Sequence, residues 1–292
     1  MSQAPPILGS TGPFYMFSLE ETFELLAVAG FDGVELMITQ DRVSQDPLRM
    51  AAMARRYGLP VPAIHGPFLL ATWFVYGTDP KGKIERCVEY AETARVPLVV
   101  IHPPYRWQVA YGAWLVERIE QVREETGVTI AVENMFPVWL NGRRPATQAG
   151  DELPPAGGRW SRLQFHNGIE PQELGQYPYV TLDLSHAAVA GIDILDTYAT
   201  LGDRVVHVHV SNNAGKGRDT HAPLDQGVLP VREFLEELSA SRFGGAVSLE
   251  LDVRPYADDR LALIEFLREN LAVARQHLDA GAKRVRQGEI AP

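Results

Sequence analysis

The chain has 292 residues, is 46% hydrophobic and carries a formal net charge of −10; that is enough apolar material for a large core and the wrong sign for gripping nucleic acid through a basic groove. Cys87 is the single cysteine, which excludes a disulfide framework and a thiolate metal site. No apolar run is long enough to span a bilayer, and Met1-Ser-Gln-Ala-Pro-Pro is not a basic-then-apolar leader, so a soluble cytoplasmic protein is the expectation.

Short apolar runs alternate with longer helical patterns along the whole chain. The first run, Pro6-Ile-Leu-Gly9, leads through Phe14-Tyr-Met to a helix opened by Ser18, with Glu21 completing a capping box. Gly33-Val-Glu-Leu-Met37 follows, then a helix capped near Asp46 with Pro47 in its first turn. Val61-Pro-Ala-Ile-His65 precedes a helix after Asp79-Pro80, and Leu98-Val-Val-Ile-His102 a helix over about Val109–Glu125. The remaining runs are Val128–Glu133, Val180–Leu184, Val205–Val210 and Ala246–Leu251, and a helix from about Asp258 to His277 closes the chain, with the tail after Gly281 expected to be loosely held. Eight strands alternating with helices predict an α/β fold, a single-domain (β/α)8 barrel whose core spans about 7–278 of residues 1–292. One connection is long: the Pro-, Gly- and Arg-rich stretch of about 136–174 follows the fifth strand and reads as a lid over the barrel mouth.

In such a barrel the chemistry gathers where strands end. Those ends carry His65, His102, Glu133, Asp183 with His186, His209 with Asp219 and His221, and Glu250. A lone histidine after an apolar strand is more often a hydrogen-bonded rim residue than a ligand, and Asp183 would serve as a helix N-cap. Unpaired carboxylates such as Glu133 and Glu250 in apolar strands are costly, however, and one cation accounts for the carboxylates and the histidines together. His207 and His209 share a strand face; His209, nearer the strand end, is assigned as a ligand and His207 as a supporting residue one layer deeper. His166 is assigned to the lid and His277 to a solvated helix face. Phe14, Tyr15, Trp73, Phe74, Trp107, Trp139 and Trp160 fall in loops after strands, suited to packing on a sugar's C–H faces or to a homo-oligomer contact, and Arg143, Arg144 and Arg159 in the lid suit an anion.

Val132-Glu-Asn-Met135, Leu182-Asp-Leu-Ser-His186, His209-Val-Ser-Asn212 and Ser248-Leu-Glu-Leu251 resemble the xylose isomerase-like TIM barrels, a superfamily of sugar and sugar-phosphate isomerases and epimerases, over about Ile7–His277. The resemblance implies a divalent ion (manganese, zinc, cobalt or magnesium) held by Glu133, Asp183, His209 and Glu250. It also implies that Glu133 and Glu250 act as acid and base on a metal-chelated enediolate of a small sugar, sugar phosphate or polyol derivative.

The same motifs are similar to the endonuclease IV branch, which holds three zinc ions and cleaves abasic DNA. Its further ligand positions correspond here to His65, His102, His186, Asp219 and His221, which would serve as additional metal ligands or as substrate contacts. Departures weigh against that branch: its H-L-N-D is His209-Val-Ser-Asn212 here, and Ala222-Pro-Leu-Asp-Gln-Gly227 lacks the glutamate expected after the D-x-H. A sugar-like small molecule is the expected partner, with Trp73, Trp107, Trp139 and Arg143 as candidate contacts, ahead of a multinuclear phosphodiesterase and of a non-catalytic metal-holding barrel.

Overall fold

The computed structural model describes residues 4–68, 72–139 and 162–287. Eight parallel strands close into a barrel in the order β1 (Ile7–Ser10), β10 (Ala246–Leu249), β9 (Val205–Val210), β8 (Val180–Asp183), β5 (Thr129–Glu133), β4 (Leu98–Ile101), β3 (Ala63–His65) and β2 (Gly33–Met37). Around them run α1 (Leu19–Ala29), α2 (Pro47–Tyr57), α3 (Pro80–Ala94), α4 (Val109–Thr126), α6 (Leu184–Ala190), α7 (Ile194–Leu201), α8 (Val231–Ala240) and α9 (Arg260–Arg286). Ser18 and Glu21 form the expected capping box on α1, and Asp46 and Asp79 cap α2 and α3 ahead of a proline in the first turn. Among the described residues, no helix is long and apolar enough to cross a membrane.

The period-two alternation of each strand divides the barrel's labour. Val34, Leu36, Ile64, Val99, Ile101, Ile130, Val132, Leu182, Val208, Val210, Val247 and Leu249 belong to one apolar cluster with helix residues such as Phe23, Leu26, Ile84, Leu115, Ile119, Phe234, Leu263 and Leu267. The alternate positions face the lumen and are mostly small or polar, with Leu8, Met37 and Val100 as apolar exceptions: Ser10, Glu35, Ala63, His65, Ala131, Glu133, Thr181, Asp183, His207, His209 and Ser248 are all buried. Burial of the outward set against the helices holds the cylinder closed, which leaves the inward set free to carry chemistry.

Two expectations need correction. The final helix does not stop near His277 but continues through Gly281 to Arg286. A Cβ on Gly281 would lie 2.1 Å from the Glu236 carbonyl oxygen, so this glycine allows α9 to press against α8 and does not end the helix. His277 is not solvated; its Nδ1 lies 2.7 Å from Glu236 Oε1 on α8 and its side chain is largely covered. The long connection after β5 is present as expected; within it β6 (Val138–Trp139) pairs antiparallel with β7 (Arg162–Leu163), and α5 (Pro171–Leu174) follows. Arg143, Arg144, Arg159 and Trp160 lie outside the described residues.

The loop after β9 is fastened by Asn212. Its side-chain oxygen accepts from the backbone N–H groups of Asn213 (2.8 Å) and Leu229 (3.0 Å), and its amide donates to the Leu224 carbonyl at 3.1 Å. Gly227 passes so close that a Cβ there would sit 2.2 Å from Asn212 Oδ1. Asn212→Ala therefore strands several buried backbone groups, and urea denaturation is expected to show a loss of about 2–4 kcal/mol; a change under about 0.5 kcal/mol, the size of an ordinary surface substitution, would contradict this role.

Candidate metal centre

The lumen-facing ends of β3 to β5 and β8 to β10 bring most of the predicted ligands together at one mouth. Glu133 stands at the centre: its Oε2 lies 3.0 Å from His65 Nε2 and 3.3 Å from His102 Nε2, and its Oε1 lies 3.0 Å from His209 Nδ1 and 3.4 Å from His186 Nδ1. Asp183 and His209 are register partners on adjacent strands, with 3.6 Å between Asp183 Oδ2 and His209 Nδ1. Glu250, one residue past β10, reaches within 3.8 Å of the same nitrogen. Ligand atoms within 4.8 Å of one another form the groups His65, His102 and Glu133; Glu133, Asp183 and His186; and Asp183, His209 and Glu250.

The second ring joins from the loop after β9. Asp219 Oδ2 lies 2.7 Å from His221 Nε2 and 3.5 Å from His186 Nε2, while Ser185 Oγ donates to the other Asp219 oxygen. His221 holds this place with φ of 42°, a left-handed conformation that costs a non-glycine residue about 1 kcal/mol and recurs at functional sites.

Hydrogen-bond directions show what this set lacks. A carbonyl oxygen can only accept, so the 3.0 Å contact of His65 Nδ1 with Gly66 O and the 2.8 Å contact of His186 Nδ1 with Asn134 O fix the N–H on Nδ1 in both rings. Each Nε2 then turns toward a carboxylate, an arrangement stable only with a proton or a cation between. Asp183 answers the N-cap alternative by doing two jobs: Oδ1 accepts from His186 N at 2.7 Å and caps α6, whereas Oδ2 is buried with no hydrogen-bond donor among the described residues. An orphaned carboxylate oxygen among imidazoles and glutamates fits a divalent cation with nitrogen and oxygen ligands.

Electrostatics agree. Burial favours neutral His209, but the charges of Glu35, Glu250 and Glu133 outweigh it and hold its pKa well above the usual imidazole value. Burial opposes the charged form of His186 and His221 too; Asp183 and Asp219 raise the first, and Asp219 raises the second to about 9. Burial would raise Glu133, yet His209 and the hydrogen bond from His102 keep it well below the carboxylate range. His102 differs: burial pushes it down to about 4, which leaves a neutral ring.

A cavity of about 370 Å3 opens above these groups and is lined as well by Tyr15, Met37, Phe136, Thr220 and Arg254. Of the aromatic candidates, Tyr15 lines this cavity, Phe14 is buried in the core, and the three tryptophans within the described residues lie elsewhere. Trp73 lines a neighbouring cavity of about 270 Å3 with Tyr105 and His166, Trp107 stacks on Tyr105 at 4.7 Å, and the Trp139 indole donates to Val189 O. Three supporting residues escaped the sequence reading. Ser10 Oγ donates to Glu250 Oε1 at 2.7 Å. Asn134 clamps β5 to β8, its amide donating to Asp183 O at 2.9 Å and its oxygen accepting from Asp183 N at 2.6 Å. Glu35, fully buried, meets both His207 and His209; its only signal is a carboxylate inside an apolar strand.

A family model described as xylose isomerase-like TIM barrel matches residues 23–149 and 179–271. The uncharacterized protein Rv0498 of Mycobacterium tuberculosis is 35% identical over 273 residues, covering 92% of this chain and 96% of that protein, and ML2432 of Mycobacterium leprae matches to the same extent. Among solved structures, a D-tagatose 3-epimerase-like protein superposes with a TM-score of 0.65 at 20% identity, over 93% of this chain and 98% of its own. The 3-keto-D-glucoside 4-epimerase of E. coli gives 0.64 at 17%, over 93% and 99%. An AP endonuclease, family 2, of Brucella melitensis gives 0.58 at 17%, over 88% and 99%. These structural likenesses show the fold, and the family match extends over most of the sequence: the chain belongs to the xylose isomerase-like TIM-barrel family.

Proposed function

We propose that the protein is a divalent-metal-dependent isomerase or epimerase of a small sugar, sugar phosphate or polyol derivative. The observation that carries this reading is the approach of Glu133, Asp183 and Glu250 to His209 Nδ1, at 3.0, 3.6 and 3.8 Å, with Glu133 and Glu250 lining a cavity of about 370 Å3. A cation bound there would act as a Lewis acid on a substrate carbonyl and its neighbouring hydroxyl. Asp183 and His209 would serve only to hold it. Glu250, steadied by Ser10 on one oxygen, would take the proton from the carbon beside the carbonyl, and Glu133, ionised at the start, would return a proton from its own side after taking one up from the substrate's hydroxyl. Phe136 and Met135 line the same cavity and would keep water from the exposed carbanionic carbon.

A second reading has its own observation. His65 and His102 share Glu133 with the central set, and His186, Asp219 and His221 form a further trio; these residues could hold more than one cation, which would suit phosphodiester hydrolysis. Elemental analysis separates the two, since about one ion per chain favours the isomerase and three zinc ions the hydrolase.

In heavy water, the metal-loaded protein is expected to place deuterium next to the carbonyl of a ketose from a panel of free and phosphorylated sugars. Glu250→Gln should slow that exchange by about 10²–10⁴-fold. Cleavage of an abasic duplex without any sugar exchange would reverse the assignment.

Metal uptake should also release protons. His209, His186 and His221 have raised pKa values in the metal-free protein, so protons occupy the ligands at neutral pH and compete with the cation. Affinity for zinc should therefore rise with pH until it passes the raised values, about 9 for His221. Calorimetry in buffers of different ionisation enthalpy measures the release at pH 7; binding with no proton release contradicts it.

A further inference from the structure

Beneath the mouth lies a second buried layer to which nothing so far assigns a task. Glu35 on β2 and His207 on β9 are both fully buried. Glu35 Oε2 lies 2.7 Å from His207 Nε2, and Glu35 Oε1 lies 2.9 Å from His209 Nε2. We propose that Glu35 is a positioning residue that fixes which nitrogen of His209 is offered to the cation, a role that rests on the metal reading above.

An ionised carboxylate can only accept hydrogen bonds, so both Nε2 atoms facing Glu35 carry hydrogens. A neutral imidazole with its hydrogen on Nε2 has its lone pair on Nδ1. In His209 that atom looks toward Glu133 Oε1 at 3.0 Å, Asp183 Oδ2 at 3.6 Å and Glu250 Oε2 at 3.8 Å. Glu35 thus sets the tautomer and the ring plane together, as carboxylates behind metal-bound histidines generally do. His207 braces the arrangement: by occupying the second oxygen it stops the carboxylate from rotating away, and its own Nδ1 is buried without a partner among the described residues. The order of contacts is His207, Glu35, His209, cation, and it runs from the closed interior of the barrel to its mouth.

Glu35→Gln keeps the shape but replaces one acceptor with an N–H donor: turned toward His209 it opposes that ring's N–H or drives its hydrogen onto Nδ1, the atom offered to the cation, and turned toward His207 it removes the brace or forces that ring into its other tautomer. Cobalt titration of the full chain, followed by visible absorption, is expected to show affinity about 10–100-fold weaker than wild type, with the circular dichroism spectrum unchanged. His207→Gln, whose amide can still donate to Glu35, should lose less. Unchanged affinity in Glu35→Gln, or equal loss in both variants, overturns the assignment. Should Glu35→Gln fail to fold, the wild-type protein decides: with isotope-labelled histidine and NMR-active cadmium, the metal should couple to His209 Nδ1 while Nε2 keeps its hydrogen. Coupling to Nε2 overturns the role given to Glu35. If wild type takes up neither cobalt nor cadmium, the metal reading itself fails, which is a different result from binding through the other nitrogen.

Discussion

The mouth of this barrel is governed by one electrostatic constraint: imidazole lone pairs and carboxylate oxygens face each other in a place that water hardly reaches. His65, His102, His186 and His209 all approach Glu133, which is 1% exposed. Placing this many acceptors together out of water is unfavourable unless positive charge sits among them. In the metal-free protein protons on the imidazoles meet that need, and a divalent cation meets it with fewer particles and fixed geometry.

The rest of the structure holds the constraint in place. Valine, isoleucine and leucine on the outward strand faces bind the helices, so the lumen does not have to be apolar to keep the cylinder closed. Clamps then set each ligand: Asn134 on the backbone of Asp183, Ser10 on Glu250, Glu35 on His209, and the Gly66 and Asn134 carbonyls on His65 and His186. Asn212 and Gly227 shape the loop that carries Asp219 and His221. Each ligand therefore reaches the mouth already oriented, and little ordering remains for the moment of binding.

Much of this was legible in the residues because strands place alternate side chains on one face. The spacing of His207 and His209 and the metal-competent residues ending six consecutive strands required only the period-two rule and a barrel. Glu35 was not legible in the same way. It ends no strand, and its partners lie 172 and 174 residues away, so only closure of the barrel makes them neighbours. The end of the last helix was not legible near His277 either: the helix runs on through Gly281, which makes room for a neighbouring helix. The sequence does not give the direction of an aromatic side chain along a loop, which is set by local packing: Phe14 turns into the core, and Tyr15 lines the cavity. Trp107 stacks on Tyr105.

Anomalous X-ray scattering from a crystal grown with manganese or zinc tests the shared cation most directly. An anomalous peak within bonding distance of Glu133, Asp183, His209 and Glu250 is expected, with His209 Nδ1 as the ligating nitrogen. A fully occupied crystal in which ions bind elsewhere, or in which these four side chains hold only protons and water at neutral pH, would contradict the metal centre and the chemistry assigned to it.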